Sequence, residues 1–332
     1  MSKVLSGIQP SGDLHLGNYL GAVRNWVADQ HTFDALYCIV DLHALTLEID
    51  PAELRSRTYE TALDLLAAGL DPEVCTLFVQ SHVAEHTRLT WLLECVATMG
   101  ELDRMTQFKE KSAGRESVGV GLHTYPVLMS ADILLYDADR VPVGDDQRQH
   151  LELARELAIR FNHRYGETFV VPEAAIPAVG ARVMDLQHPT RKMSKSVSSP
   201  LGTVGMLDAP EEITRKIKKA VTDTDGEVRY DREAKPGVAN LLDLLAVATN
   251  RSPTEVAGDY NRYGDLKRDV ADAVVAMLAP IQQRRRALAS DPGAVATLLA
   301  AGAERARTTA SATYARAATA MGLLSPGQDQ PR

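Results

Sequence analysis

Val4-Leu5-Ser6-Gly7-Ile8-Gln9-Pro10-Ser11-Gly12-Asp13-Leu14-His15-Leu16-Gly17-Asn18 opens on a short apolar run, passes through a turn rich in glycine and proline, and leads into helical spacing at Tyr19, Leu20, Val23 and Val27. Val4 to Ile8 reads as a buried parallel strand. Gly7 and Gly12 permit tight backbone turns, and Gly17 at the start of the helix lets a flat ligand approach the backbone without meeting a Cβ. A helix N-terminus adds unpaired N–H groups and a dipole that favours phosphate. His15 and Asn18 are three apart on one face of that first turn, and both can donate hydrogen bonds to phosphoryl oxygens. The stretch lacks the Gly-Lys-Ser/Thr of a P-loop, which excludes that mode of phosphate binding.

Working outward, apolar runs at Ala35 to Val40 and Val74 to Val79 read as further buried strands, with segments of helical spacing between them. The second of those helices is bounded by Asp50 as cap, Pro51 in the first turn, Glu53 at capping-box spacing and Gly69 as the stop. Strand-helix-strand-helix-strand predicts a Rossmann-type, doubly wound parallel α/β sheet, which binds ligands beyond the carboxyl ends of its strands. After about residue 185 the strand signals fade, and Ala-, Leu-, Arg- and Glu-rich helical segments run almost to the end. The expected organisation is an α/β domain over 1–185 and a mostly α-helical domain over 186–295. A C-terminal helix within 296–332 then packs back on the first domain and ends in a short disordered tail from Ser325.

Composition bounds the partners. The chain has 332 residues, long enough for two domains with real cores, and no apolar run approaches a membrane span. Cys38, Cys75 and Cys95 show no Cys-x-x-Cys spacing and fall in apolar surroundings, as expected of reduced core thiols in a cytoplasmic protein. His82 and His86 could share a helix face, but without a thiolate cluster or a metalloprotease Glu they do not specify a metal site. The net charge of −8 argues against DNA as a partner, yet the acid excess lies in residues 1–180 and the remainder is slightly basic. Basic clusters at Arg215-Lys216-Ile217-Lys218-Lys219 and Arg284-Arg285-Arg286, and the stretch from Arg104 to Arg115, are either phosphate-backbone contacts or solvated helix faces.

Two further stretches carry chemistry. Lys192-Met193-Ser194-Lys195-Ser196, between Pro189 and Pro200, is a cationic loop at the domain junction, suited to negative charge developing on a phosphate chain. In Tyr125-Pro126-Val127-Leu128-Met129-Ser130-Ala131-Asp132 the spacing places Tyr125, Met129 and Asp132 on one helix face. Asp132 lies in an otherwise apolar run, where an unpaired carboxylate is costly. It is either paired with a backbone group or set to accept from a ligand, and Met129 is either a core residue or a polarizable contact for a ring.

His15-Leu16-Gly17-Asn18 and Lys192 to Ser196 resemble, in order and separation, the two signature elements of the class I aminoacyl-tRNA synthetases. Gly7 to Gly12, Gly100 to Lys109, Ala131 to Tyr136 and Val143 to Gln147 are similar to the bacterial tryptophan branch of that family, over nearly the whole chain. Asn18 stands where the class as a whole carries a second His, which leaves any role for an ionised group there in doubt. The resemblance implies activation of L-tryptophan with ATP and Mg2+, transfer to tRNA(Trp), and a homodimer with an anticodon-binding helical domain. It implies that Gln9, Pro10, Ser11, Gly17, Asn18, Gly144, Asp145, Asp146, Val183, Met193, Ser194 and Ser196 surround ATP. Lys111, Lys192 and Lys195, with His15 and Asn18, would stabilise the phosphates. Asp132, Met129, Tyr125, Gln147, His43, Val40, Val141, Val143 and Gly7 would take tryptophan, with Asp132 accepting the indole N–H. A tyrosine-specific synthetase, and a nucleotide-binding paralogue that charges no tRNA, remain open on the same residues.

Overall fold

A computed structural model describes residues 2–142, 144, 147–175, 183–194 and 199–324. Val143, Asp145, Asp146, Lys195, Ser196 and the tail from Ser325 therefore lie outside the described residues. Five strands form one parallel sheet: β1 (Lys3–Ile8), β2 (Asp34–Ile39), β3 (Thr76–Val79), β4 (Arg140–Pro142) and β5 (Glu173–Ala175). Their order is β3-β2-β1-β4-β5. Lys3 to Ile8 pair residue for residue with Asp34 to Ile39. Alternation along the strands sends Tyr37, Ile39, Leu77 and Val79 into one core and Leu36, Cys38 and Phe78 into the other, so both faces are covered. The chain builds outward from β1 through β2 and β3, then crosses back to place β4 on the other side. The crevice at the carboxyl ends of β1 and β4 is thus the topological switch point.

The helix Pro51–Ala68 starts as its sequence requires: Asp50 Oδ1 accepts from Ala52 N at 2.9 Å and Glu53 N at 3.1 Å, and Gly69 ends it at φ +118°. Glu53 does not close a capping box; its carboxylate pairs with Arg57 one turn on. Two of the three cysteines are buried, but Cys95 is exposed just past the end of the helix Glu85–Glu94, so it is not a core thiol.

Beyond the sheet, Val183 to Met193 form an antiparallel hairpin in which Met184 bridges Lys192. The helices Pro210–Lys218, Pro236–Thr249, Pro253–Ala257, Tyr263–Ala289 and Pro292–Ala320 follow. Tyr263–Ala289 docks on Pro51–Ala68 through its arginines: Arg284 Nε donates to the Ala67 carbonyl at 2.6 Å, and Arg285 pairs with Asp64 at 2.6 Å and with Glu60. The last helix begins at Pro292, four residues earlier than expected, and runs back over β3. A Cβ on Gly302 would stand 1.8 Å from the Leu77 carbonyl oxygen, so only glycine lets the helix lie on that strand. Arg305 and Arg316 tie the same helix to the Pro72 carbonyl and to Asp137.

Candidate active site

The carboxyl ends of β1, β2 and β4, with the helix Val120–Leu134, enclose a cavity of about 420 Å³ at the switch point, a size suited to a small molecule. Gly7, Gln9, Val40, His43, Lys111, Tyr125, Met129, Asp132, Val141, Gly144 and Gln147 line it together. The sequence did not single out Ser6, Trp26, Cys38, Gln107 and Pro142, which share the wall. Trp26 reaches it from the first helix, whose turn at Tyr19–Val23 is widened to π geometry, a local rewinding often found at functional sites.

Asp132 is 5% exposed. Its Oδ1 accepts from Gln80 Nε2 at 2.7 Å and meets His86 Nδ1 at 2.6 Å, while Oδ2 meets His43 Nε2 at 2.7 Å. The Tyr136 hydroxyl closes the far side of His86 at 2.7 Å from Nε2. A carboxylate only accepts, so the ring nitrogens facing it carry hydrogens. Burial pushes the Asp132 carboxyl up, but attraction to His43 and the hydrogen bonds from His43 and His86 outweigh it and hold the group well below the usual carboxylate range. Both acceptor positions of Oδ1 are occupied, whereas Oδ2 has capacity for one more donor. Gln80 and His86 were not expected partners. His82 and His86 do not share a helix face: His82 ends the short turn Gln80–His82, while His86 is fully buried in Glu85–Glu94.

Two turns before Asp132 on the same helix, the Tyr125 hydroxyl donates to Gln107 Oε1 at 3.0 Å and lies 2.8 Å from His150 Nε2. Burial pushes its phenol up to about 12, so it stays uncharged. Lys111 Nζ donates to Gln107 Oε1 at 3.3 Å and stands 5.3 Å from the Tyr125 ring centroid, placing a cation at the cavity mouth. Met129 and Val40 pack at the cavity's apolar side, and the Cys38 thiol beside them is pushed up by burial.

The two signature elements meet beside this cavity. His15 caps the helix: its Nδ1 accepts from Asn18 N at 3.3 Å, and Asn18 Oδ1 accepts from His15 N at 3.2 Å. Each side chain therefore gives an acceptor to the turn, leaving donation to His15 Nε2 and Asn18 Nδ2. Leu16 N donates to the Val204 carbonyl at 2.8 Å and Met206 N to the Leu14 carbonyl at 2.9 Å, stitching this loop to the segment after the lysine element. A Cβ on Gly17 would sit 3.0 Å from the His15 ring and 3.4 Å from Met193 Cβ. Met193 is buried against that glycine, and its N donates to the Val183 carbonyl at 3.0 Å. Lys192 is exposed on the hairpin edge, the Ser194 carbonyl accepts from Thr203 Oγ1 at 3.0 Å, and Pro10 and Ser11 continue the turn after β1.

The basic clusters divide. Arg285 is consumed by ion pairs with the helix Pro51–Ala68, and Arg284, though exposed, donates to the Ala67 carbonyl of the same helix. In the other cluster Lys216 is buried and paired with Asp208 at 2.6 Å, while Arg215, Lys218 and Lys219 are exposed. Among the described residues no group of three or more His, Cys, Asp or Glu could hold a metal ion, and no helix is long and apolar enough to cross a membrane.

A family model described as tRNA synthetases class I (W and Y) matches residues 1–279. The chain belongs to this synthetase family. It is 56% identical over 331 residues to Tryptophan--tRNA ligase 1 of Streptomyces coelicolor, spanning 98% of each chain. The fold superposes on tryptophanyl-tRNA synthetase from Mycoplasma pneumoniae with a TM-score of 0.90 at 35% identity, covering 99% of this chain and 100% of that one. It also superposes on tryptophanyl-tRNA synthetase from Campylobacter jejuni, in a structure complexed with ADP and tryptophan. The TM-score is 0.85 at 33% identity, covering 97% and 100%. Family membership fixes the parallel sheet and the helical domain in one architecture.

Proposed function

We propose that this chain is a tryptophan–tRNA ligase. Tryptophan's carboxylate attacks the α-phosphorus of ATP, which enters with Mg2+, giving tryptophanyl-adenylate and pyrophosphate; a hydroxyl at the 3′ end of tRNA(Trp) then takes the tryptophanyl group and AMP leaves. The observation that carries the choice of amino acid is Asp132, an ionised carboxylate at the wall of an otherwise largely apolar cavity, with one acceptor position left on Oδ2. An indole N–H donates and cannot accept, so an acceptor-only group selects it. The high identity to a tryptophan ligase over the full length supports tryptophan over tyrosine.

Neither step needs a protein nucleophile, so the residues act by orientation and charge. Met129, His43, Val40, Val141, Val143 and Gly7 hold the indole, and Tyr125 and Gln147 the amino group. Gln9, Pro10, Ser11, Gly17 and Asn18 cradle ATP from one side, and Gly144, Asp145, Asp146, Val183 and Met193 face its ribose and adenine. Lys111, Lys192 and Lys195 neutralise the leaving pyrophosphate, and Ser194 and Ser196 join the ATP-binding residues.

Residues 1–185 form the catalytic domain in this reading, and the helices of 186–295 carry the anticodon-binding surface. The enzyme works in the cytoplasm as a homodimer. Pyrophosphate exchange with each amino acid tests the whole proposal: exchange driven by tryptophan supports it, and exchange driven by tyrosine alone overturns it. Attachment of tryptophan to tRNA separates a ligase from a paralogue that only activates the amino acid.

A further inference from the structure

The helix Pro236–Thr249 carries an asparagine that behaves as an extra strand. Asn240 is 2% exposed. Its Oδ1 accepts from Met184 N at 2.9 Å, and its Nδ2 donates to the Met184 carbonyl at 3.0 Å. One side-chain amide thus satisfies both backbone groups of a residue whose other edge bridges Lys192 in the antiparallel hairpin. Met193 follows directly, bonded to Val183 and packed on Gly17 of the nucleotide-side loop. A continuous chain of contacts therefore runs from the helical domain through Asn240, Met184 and Lys192–Met193 to the turn that opens the first helix.

The hairpin has other tethers. Val221 N donates to the Leu186 carbonyl at 2.8 Å, and Gln187 Nε2 donates to the Lys219 carbonyl at 2.9 Å. Those hold the hairpin's turn and come from the end of the helix Pro210–Lys218 and just beyond it. Between the hairpin and the helix Pro236–Thr249 lies a cavity of about 290 Å³ lined by Pro189, Thr190, Arg232 and Asp243, with Met184 and Asn240 themselves in its wall, so close packing does not hold the two together around that contact. Asn240 is the contact that faces the residue directly opposite Lys192.

We propose that Asn240 is a positioning residue for amino-acid activation: it sets the register and height of the Lys192-Met193-Ser194 element over the nucleotide and makes that placement depend on the orientation of the helical domain. This rests on the reading of Lys192 as a phosphate contact. Asn240→Asp keeps the acceptor for Met184 N but turns the donor facing the Met184 carbonyl into a second acceptor. A buried carbonyl deprived of its donor is strongly disfavoured, and the hairpin shifts to escape. Asn240→Gln keeps the amide and the fold but displaces it by one methylene.

The test measures single-turnover adenylate formation, the KM for ATP, tryptophan affinity by equilibrium dialysis and thermal unfolding, for both variants and for Lys192→Ala. Asn240→Asp is expected to slow adenylate formation by roughly ten-fold or more. Asn240→Gln slows it by a smaller factor, and both leave tryptophan affinity within about two-fold. In the Lys192→Ala background the same changes have little further effect, because the group they misplace is gone. Unchanged rates in both Asn240 variants, fully additive losses, or equal loss of tryptophan binding overturn the proposal. A normal rate in Lys192→Ala instead defeats the phosphate assignment of Lys192, an outcome read independently of Asn240.

Discussion

Replacing Asp132 with Asn preserves shape and removes the charge, and the surrounding bonds dictate how the new amide settles. Two donors, Gln80 Nε2 and His86 Nδ1, point at Oδ1, whereas His43 Nε2 alone faces Oδ2. The least costly orientation keeps the amide oxygen on the two-donor side and turns the NH2 toward His43, which can accept at Nε2 by moving its hydrogen to Nδ1. The indole N–H then meets a donor where it had met a carboxylate. A hydrogen bond to a charged group contributes about 1.5–3 kcal/mol, so tryptophan should bind roughly 10- to 150-fold more weakly. The KM for ATP should stay nearly constant, because Asp132 touches neither the His15–Asn18 turn nor the hairpin. Equilibrium dialysis with labelled tryptophan and ATP titrations of pyrophosphate exchange measure the two. A benzothiophene analogue of tryptophan, which keeps the bicycle but has no N–H, supplies the control. The native protein should discriminate against it by a similar factor, and Asp132→Asn should scarcely discriminate at all. Equal weakening of tryptophan and ATP, or undiminished discrimination in the variant, would refute the assignment of Oδ2 to the indole.

Lys195→Ala is expected to lower the single-turnover rate of adenylate formation with little change in tryptophan affinity, and a native rate would remove it from the phosphate site. Neutralising Arg215, Lys218 and Lys219 should weaken tRNA binding and flatten its salt dependence by roughly 0.7–0.9 per lost phosphate contact; an unchanged slope identifies a solvated face. Lys216 belongs to a different experiment, since its ion pair with Asp208 is internal, and Lys216→Ala should lower the melting temperature. Hydrogen bonding to the Arg160 guanidinium, against the opposing effect of burial, holds the Glu101 carboxyl down at about 2, aided by Thr98. A depressed folded value stabilises the protein above the ordinary carboxylate range, and that contribution is lost as pH falls from about 4.5 toward 2. Acid unfolding curves should therefore be steeper for the native protein than for Glu101→Gln over that window, and parallel curves would contradict the pairing.

How much of this was legible in the chain depends on how local each signal is. β1, β2 and β3 are continuous apolar runs and could be read directly, whereas β4 is Arg140-Val141-Pro142 and β5 is Glu173-Ala174-Ala175. Three-residue strands with a charge or a proline carry no periodicity and owe their existence to a neighbouring strand. The helix face of Tyr125, Met129 and Asp132 follows from spacing alone. The partners that fix Asp132 do not, since Gln80 and His86 come from the turn after β3 and the helix beyond it. The basic clusters show the converse error. Within both basic runs the residues part company, Arg285 and Lys216 into internal ion pairs and Arg215, Lys218 and Lys219 onto the surface, because composition records charge but not which side of a helix meets another element.

That division has a consequence for how the site is held. Gly7, Cys38 and Val141 of the cavity ride on β1, β2 and β4, and Tyr125, Met129 and Asp132 on the helix Val120–Leu134, where packing on the sheet fixes them before any ligand arrives; Gln9, Gly144 and Gln147 lie in turns, and Gln107 and Lys111 on the helix Thr106–Ser112, which buries no residue. Lys192 and Met193 ride on a hairpin joined to the helical domain by Asn240, by the Leu186 carbonyl and by Gln187. On the proposed assignments, tryptophan is recognised mainly from the packed sheet layer, while Lys192 reaches the phosphates from a hairpin tied to the helical domain. A change at Asp132 is expected to alter tryptophan affinity and a change at Asn240 the rate, so the two substitutions, both conservative exchanges between Asp and Asn, should fail in different columns of the same kinetic table.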